Sequence, residues 1–118
     1  MGKKKVAILG ATGVVGQRFI QLLQNHPWFE IEAIAASERS SGKKYGKVAN
    51  WTLESELPRE ISQMHVVDTN VKAIEKIGNI DIVFSSLPTS VAEKVEIEFA
   101  KEFFGEFGGI FEKLMDKE

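Results

Sequence analysis

The chain has 118 residues, with 43% hydrophobic residues, 27% charged residues and a formal net charge of −2. This composition is ordinary for a globular protein, and a chain of this length is expected to form one domain with a substantial core. The weak net charge gives no basis for binding nucleic acid or an anionic membrane, and no apolar run approaches the ~20 residues of a membrane span.

A strand, a glycine turn and the start of a helix occupy the first 25 residues. The apolar run 5–9 predicts a strand, the motif G-x-x-G-x-x-G follows over 10–16, and an amphipathic helix continues to Leu23. A turn with few side chains lets backbone N–H groups approach a phosphate, and the helix N-terminus adds partial positive charge. A P-loop is excluded, because Gln17 and Arg18 follow the last glycine. We interpret the motif as a nucleotide phosphate site; a tight strand–helix turn without ligand is the alternative.

The rest of the chain alternates strands with helices. The predicted elements are, in order, strand 29–36, an irregular polar loop 37–63, strand 64–68, helix 71–77, strand 80–85 and a helix opened by a capping box at Ser90–Glu93. Such alternation implies a parallel sheet with right-handed crossovers. The expected fold class is α/β, a Rossmann-type three-layer, doubly wound sheet of strand order 3-2-1-4. Ligands of such sheets bind where the loops after strands 1 and 4 meet.

The carboxyl end of the chain is unusual for such a fold. The last predicted helix has an apolar face of Val91, Val95 and Phe99. Phenylalanines continue beyond it, but three glycines in 105–109 weaken a continuous helix by about 1 kcal/mol each. We therefore predict a nucleotide-binding domain over 1–102 and a Phe/Gly-rich tail over 103–118. The tail is predicted to break within 105–109 and to form a short helix from Ile110.

The residues after strand 2 bear on the choice between NAD and NADP. An NAD site usually places an acidic residue there, bonded to the ribose hydroxyls. Here Ser37, Arg39 and Ser40 can surround a 2′-phosphate. A charge-assisted hydrogen bond contributes roughly 1.5–3 kcal/mol. If the Glu38 side chain projects outward, as we expect, Arg39 alone therefore favours NADP over NAD by about ten- to a hundredfold. We predict NADP, with dual specificity and a merely solvated loop as the alternatives.

The loop after strand 4 completes the candidate site. It is expected to place backbone and hydroxyl groups beside the nicotinamide; a capped helix entry is the other interpretation. The candidate cofactor residues are Gly10, Thr12, Gly13, Val14, Val15 and Gly16 in the turn, Ser37, Arg39 and Ser40 after strand 2, and Ser86, Leu87 and Pro88 after strand 4. No metal site is predicted, because His26 and His65 have no partner at ligand spacing.

Three ordered blocks of the sequence resemble the aspartate-semialdehyde dehydrogenase family, especially its archaeal and fungal branch. They are VAILGATGVVGQRF over 6–19, AASERSSGKKY over 35–45 and DIVFSSLP over 81–88, and the resemblance covers about residues 4–102. The related N-acetyl-glutamyl-phosphate reductases share the glycine turn but fit the second block poorly. The resemblance implies a cytoplasmic, NADP-dependent reductive dephosphorylation of aspartyl phosphate to its semialdehyde, in the synthesis of lysine, methionine and threonine.

The chain departs from that family after the last predicted helix. In the family a further strand, a substrate phosphate site, a catalytic cysteine and an acid–base histidine follow. None of the 118 residues is a cysteine, so no thioester can form on this polypeptide, and we expect a truncated domain that binds cofactor without turnover. Two other functions stay open. One is an autonomous nucleotide-binding or regulatory module, and the other is a domain that self-associates through the strand-4 edge or the tail.

Overall fold

A parallel sheet with helices on both faces positions every loop discussed below. The structure, a computed structural model, describes residues 2–103. Its elements are β1 Lys4–Leu9, α1 Val14–Leu23, β2 Phe29–Ala36, α2 Tyr45–Val48, α3 Arg59–Ser62, β3 Val67–Asp68, α4 Val71–Ile77, β4 Ile82–Ser85 and α5 Thr89–Phe103. The strands pair in the order β3-β2-β1-β4, all parallel. The predicted Rossmann-type class and strand order are confirmed.

β1 contributes to two hydrophobic cores, one on each face of the sheet, because successive side chains of a strand point to opposite faces. Val6 and Ile8 belong to the core beneath α1, and Ala7 and Leu9 belong to the core that includes Phe99 of α5. All four strand residues are fully buried. Burial of a large apolar side chain contributes about 1.5–3 kcal/mol, so β1 is a rigid base for the turn that follows it.

The segment predicted to be an irregular loop, 37–63, is instead a packed insert containing two four-residue helices, α2 and α3. The two helices touch closely: a Cβ at Gly46 would lie 2.1 Å from Oγ of Ser62. Tyr45 is fully buried in the core beneath α1, and this burial raises the pKa of its hydroxyl. The insert therefore braces the α1 face of the sheet.

β3 is shorter than predicted because the residues before it pair with the insert. The Val66 N–H donates to the Lys43 carbonyl at 2.8 Å, and the Val66 carbonyl accepts from the Gly42 N–H at 2.7 Å. Lys44 and His65 form an antiparallel bridge. Only Val67 and Asp68 then remain to pair with β2.

α5 begins before Ser90, so that residue lies in the first helical turn and the predicted capping box is wrong. The fixed φ of Pro88 suits a helix entry, and its carbonyl accepts the first helical hydrogen bonds, at 2.9 and 3.0 Å. Phe99 is buried and Val95 packs on the same core, as predicted, but Val91 is 44% exposed.

Several predictions concern residues that the structure does not describe. The break within 105–109 and the helix from Ile110 lie outside residues 2–103, and the division at residue 102 stays a prediction. Within the described residues, no helix is both long and apolar enough to cross a membrane.

Candidate functional site

The loops after all four strands enclose a cleft of about 590 Å³ at the carboxyl edge of the sheet. Seven of the predicted site residues line it: Gly10, Thr12, Gly13, Ser37, Ser86, Leu87 and Pro88. The sheet order therefore brings the glycine turn, the end of β2 and the loop after β4 to one place, as the topology requires.

Two glycines of the turn are required by packing within the protein. Gly10 has φ +74°, a left-handed conformation that favours glycine, and a Cβ there would lie 2.9 Å from the Ser86 carbonyl oxygen. Gly16 lies in α1, where a Cβ would come within 2.2 Å of the Gly10 carbonyl oxygen and 2.7 Å of Ala11 Cα. These glycines let the loop after β4 and helix α1 approach the end of β1.

Gly13 is different, because nothing in the described chain crowds it. The nearest atom to a Cβ there would be the Gly10 carbonyl oxygen at 3.7 Å, an ordinary van der Waals contact. Gly13 is the N-cap of α1 and brings no side-chain cap, and the first N–H groups of a helix have no acceptor within the helix. An anion placed in the cleft at Gly13 therefore meets bare backbone donors.

Val14, Val15 and Gly16 are not among the residues that line the cleft. Val14 and Val15 are 65% and 58% exposed, and Gly16 packs on the turn. Their predicted contribution to a phosphate site is through the N–H groups of the first turn of α1, which stays a prediction.

The end of β2 differs from expectation in one respect. Ser37 and Glu38 line the cleft, whereas Arg39 and Ser40 do not. The Ser40 N–H donates to the Ser37 carbonyl at 2.9 Å, which closes a turn over these residues. Glu38 is an exposed residue at the rim of the cleft, and the expectation that its carboxylate projects outward stays a prediction.

Sequence reasoning missed Asp68, Thr69 and Asn70, which line the cleft beside β2. The Thr69 hydroxyl donates to the Ala36 carbonyl at 2.9 Å, and Asn70 Oδ1 accepts from the Ala73 N–H at 2.8 Å to cap α4. These residues lie at the carboxyl end of β3, just as Ser37 lies at the carboxyl end of β2. Ligands of parallel sheets bind at strand carboxyl ends, so the same reasoning could have identified them as site residues. Among the described residues that line the cleft, Asp68 and Glu38 are the charged ones.

Ser86 ties the loop after β4 to the end of β1. Its N–H and its hydroxyl both donate to the Leu9 carbonyl, at 3.0 and 2.8 Å. The preceding hydroxyl, of Ser85, donates to Glu96 of α5, a carboxylate that is 9% exposed. Leu87 and Pro88 are thereby held against the cleft.

Residues 5–104 match the family described as Semialdehyde dehydrogenase, NAD binding domain. The aspartate-semialdehyde dehydrogenase of Methanothermobacter thermautotrophicus is 54% identical over 98 residues, 83% of this chain, and that of Schizosaccharomyces pombe is 48% identical over 99 residues, 84% of it. The chain spans 27% of the length of each of these relatives.

A solved structure agrees with the sequence relatives. The crystal structure of aspartate semialdehyde dehydrogenase with NADP from Candida albicans superposes with a TM-score of 0.77 at 42% identity. The superposition covers 85% of this chain and 27% of that one. The predicted resemblance is confirmed: the chain belongs to the semialdehyde dehydrogenase NAD-binding domain family and matches the N-terminal cofactor-binding portion of aspartate-semialdehyde dehydrogenases.

Proposed function

We propose that this domain binds NADP, with the pyrophosphate against the first turn of α1. The observation that carries the proposal is Gly13, a residue that faces the cleft and that internal packing does not require to be glycine. Bare N–H groups beside it suit a diphosphate, and the NADP bound by the Candida albicans relative supports the choice of ligand.

The two ends of the cofactor are assigned to the two sides of the cleft. Ser37, Arg39 and Ser40 are proposed to hold the 2′-phosphate. Arg39 is exposed, and rotation of its long side chain can bring the guanidinium to a phosphate beside Ser37. The nicotinamide is proposed to lie along 86–88, where the bonds of Ser86 fix the loop.

The proposed reaction of the whole protein is the reduction of aspartyl phosphate to aspartate semialdehyde with loss of phosphate. The reduced cofactor, NADPH, would supply the hydride and leave as NADP⁺. The residues of this chain bind and orient it, since no cysteine is present to carry an acyl group. Both reactants are water-soluble metabolites, and we propose that the protein acts in the cytoplasm.

Titration of NADP against the wild-type chain and Gly13→Ala tests the pyrophosphate site. A methyl group facing the cleft pushes a diphosphate away from the helix N-terminus, so we expect NADP affinity to fall about tenfold. The unfolding free energy is expected to change by less than about 1 kcal/mol. Alanine is a poorer N-cap than glycine, but it can adopt the extended backbone of Gly13 and loses less conformational entropy on folding. Calorimetric titration and urea denaturation measure the two quantities.

The control is Gly2→Ala, where a Cβ meets nothing within 4 Å. Equal NADP affinity in Gly13→Ala and the wild type contradicts the proposed pyrophosphate position. If the wild type binds neither NADP nor NAD at millimolar concentration and light scattering shows a dimer, self-association is the function. β4 supports that alternative, because among residues 2–103 it pairs with β1 alone.

Glu38→Gln tests the 2′-phosphate end of the site. A carboxylate about 6 Å from a phosphate with close to two negative charges costs about 1.4 kcal/mol in a water-like dielectric before screening, or about tenfold in affinity. We therefore expect Glu38→Gln to tighten NADP by up to about tenfold at low salt and to leave NAD unchanged. Glu54→Gln, on the exposed insert, is the control. If Glu38→Gln leaves NADP affinity unchanged, or tightens NAD binding as well, the Glu38 carboxylate does not lie near the 2′-phosphate.

A further inference from the structure

The carbonyl groups from the end of β1 through the glycine turn are engaged by donors of the protein. The Leu9 carbonyl accepts from Ser86, and the Gly10 carbonyl accepts from the Gly13 N–H at 3.2 Å. The Gly13 carbonyl accepts from the Gln17 N–H at 2.9 Å. Each of these bonds is local or comes from the neighbouring loop.

The two carbonyls between them are held by buried side chains. The Tyr45 hydroxyl donates to the Ala11 carbonyl at 2.6 Å, and Gln17 Nε2 donates to the Thr12 carbonyl at 3.1 Å. Tyr45 is fully buried and Gln17 is 2% exposed. Burial raises the pKa of Tyr45, so its hydroxyl keeps its proton, and remains a donor, throughout the physiological range.

The amide of Gln17 has one orientation available to it. Nε2 also donates to the Asn50 carbonyl at 2.9 Å, while Oε1 accepts from the Thr52 N–H at 2.9 Å and from its hydroxyl at 3.3 Å. Both donors and both acceptor sites of the amide are therefore used, and rotating it would break all four bonds. Residues 50–52 of the insert thus fix the side chain that holds the turn.

The direction of these carbonyls determines whether C=O or N–H groups of the turn face the cleft. A trans peptide is planar, with its C=O and N–H pointing in opposite directions. Holding the Ala11 carbonyl towards buried Tyr45 turns the Thr12 N–H to the opposite side, and Thr12 lines the cleft. A reversed peptide would present a carbonyl oxygen to a phosphate, which is repulsive.

We propose that Tyr45 and Gln17 are positioning residues, which keep the Ala11 and Thr12 carbonyls away from the cleft so that the pyrophosphate meets the Thr12 N–H and the N–H groups of the first turn of α1. The insert 37–63 thereby acts as a brace for cofactor binding. This inference rests on the proposed function, because it concerns the same pyrophosphate site.

Tyr45→Phe and Gln17→Met test the inference in the 118-residue chain. Tyr45→Phe removes one donor, and Gln17→Met removes the amide with its four hydrogen bonds. Both retain most of the buried volume, so the turn can relax without a large cavity. We expect each to weaken NADP binding about five- to tenfold. The affinity for 2′-AMP, which has the adenosine 2′-phosphate and no pyrophosphate, is expected to stay within about twofold, since that ligand does not reach the turn. Competition against a fluorescent nucleotide measures both ligands.

Ser55→Ala is the matched control, because it removes the bond from Gln21 Nε2 to the insert, at 2.8 Å, without touching a turn carbonyl. A selective loss of NADP affinity in either variant, absent from the control, supports the inference. Unchanged NADP affinity in both variants overturns it, and so does a parallel loss of NADP and 2′-AMP, which indicates a purely structural role. If the wild-type chain binds neither NADP nor 2′-AMP, that result contradicts the proposed function itself.

Discussion

Gly16→Ala is expected to lower the free energy of unfolding by about 3 kcal/mol or more, the upper end of the cost of overpacking. The added Cβ would lie 2.2 Å from the Gly10 carbonyl oxygen and under 3 Å from two backbone atoms of Ala11. None of these atoms belongs to a flexible side chain. They continue from residues 6–9 of β1, which are fully buried, so α1 itself must shift away from the sheet. Urea denaturation followed by circular dichroism measures the change.

Comparison with Gly13→Ala separates the effect of close packing at Gly16 from the effect of any methyl group added near the turn. Both variants add one methyl group near the same turn, yet at Gly13 the nearest atom is 3.7 Å away. A loss of stability at Gly16 and little at Gly13 is the expected pattern. A urea midpoint for Gly16→Ala equal to that of the wild type would mean that α1 packs less closely on the turn than the structure has it.

The glycine motif illustrates how far the sequence could predict the site. Its spacing, between an apolar strand and an amphipathic helix, predicted the turn, the helix start and the place of the cleft. The motif could not assign separate roles to its three glycines. Gly10 is fixed by a positive φ and by the loop after β4, which is 76 residues away in the chain. Gly16 is fixed by packing, whereas at Gly13 a Cβ would meet no atom closer than 3.7 Å.

The insert 37–63 shows where prediction from the sequence failed. Helices of four residues are too short to give a periodic pattern, so α2 and α3 left no local signal. Their stability comes from long-range contacts, such as the bond from the Tyr45 hydroxyl to Ala11, 34 residues away.

Arg39→Ala is expected to weaken NADP binding by about ten- to a hundredfold while changing NAD binding by less than about twofold. A 2′-phosphate carries close to two negative charges, and among the described residues that line the cleft the charged ones are Glu38 and Asp68, both acidic. Without Arg39, that phosphate meets repulsion there, whereas the 2′-hydroxyl of NAD does not. Calorimetric titration of both nucleotides at two salt concentrations measures the difference.

Salt dependence and two further variants separate this effect from a general loss of charge. The preference of the wild type for NADP is expected to shrink as salt rises, because salt screens the ion pair. In Arg39→Ala the relative affinity for NADP is expected to rise slightly, because salt then screens only the repulsion from the acidic residues. Arg39→Lys should recover part of the affinity, since lysine keeps the charge but not the two-pronged hydrogen bond. Arg59→Ala, in α3, is the control, because it removes an exposed arginine that does not line the cleft.

Should NAD and NADP lose affinity equally in Arg39→Ala, the guanidinium does not hold the 2′-phosphate, and the preference for NADP must come from Ser37 and the backbone around it.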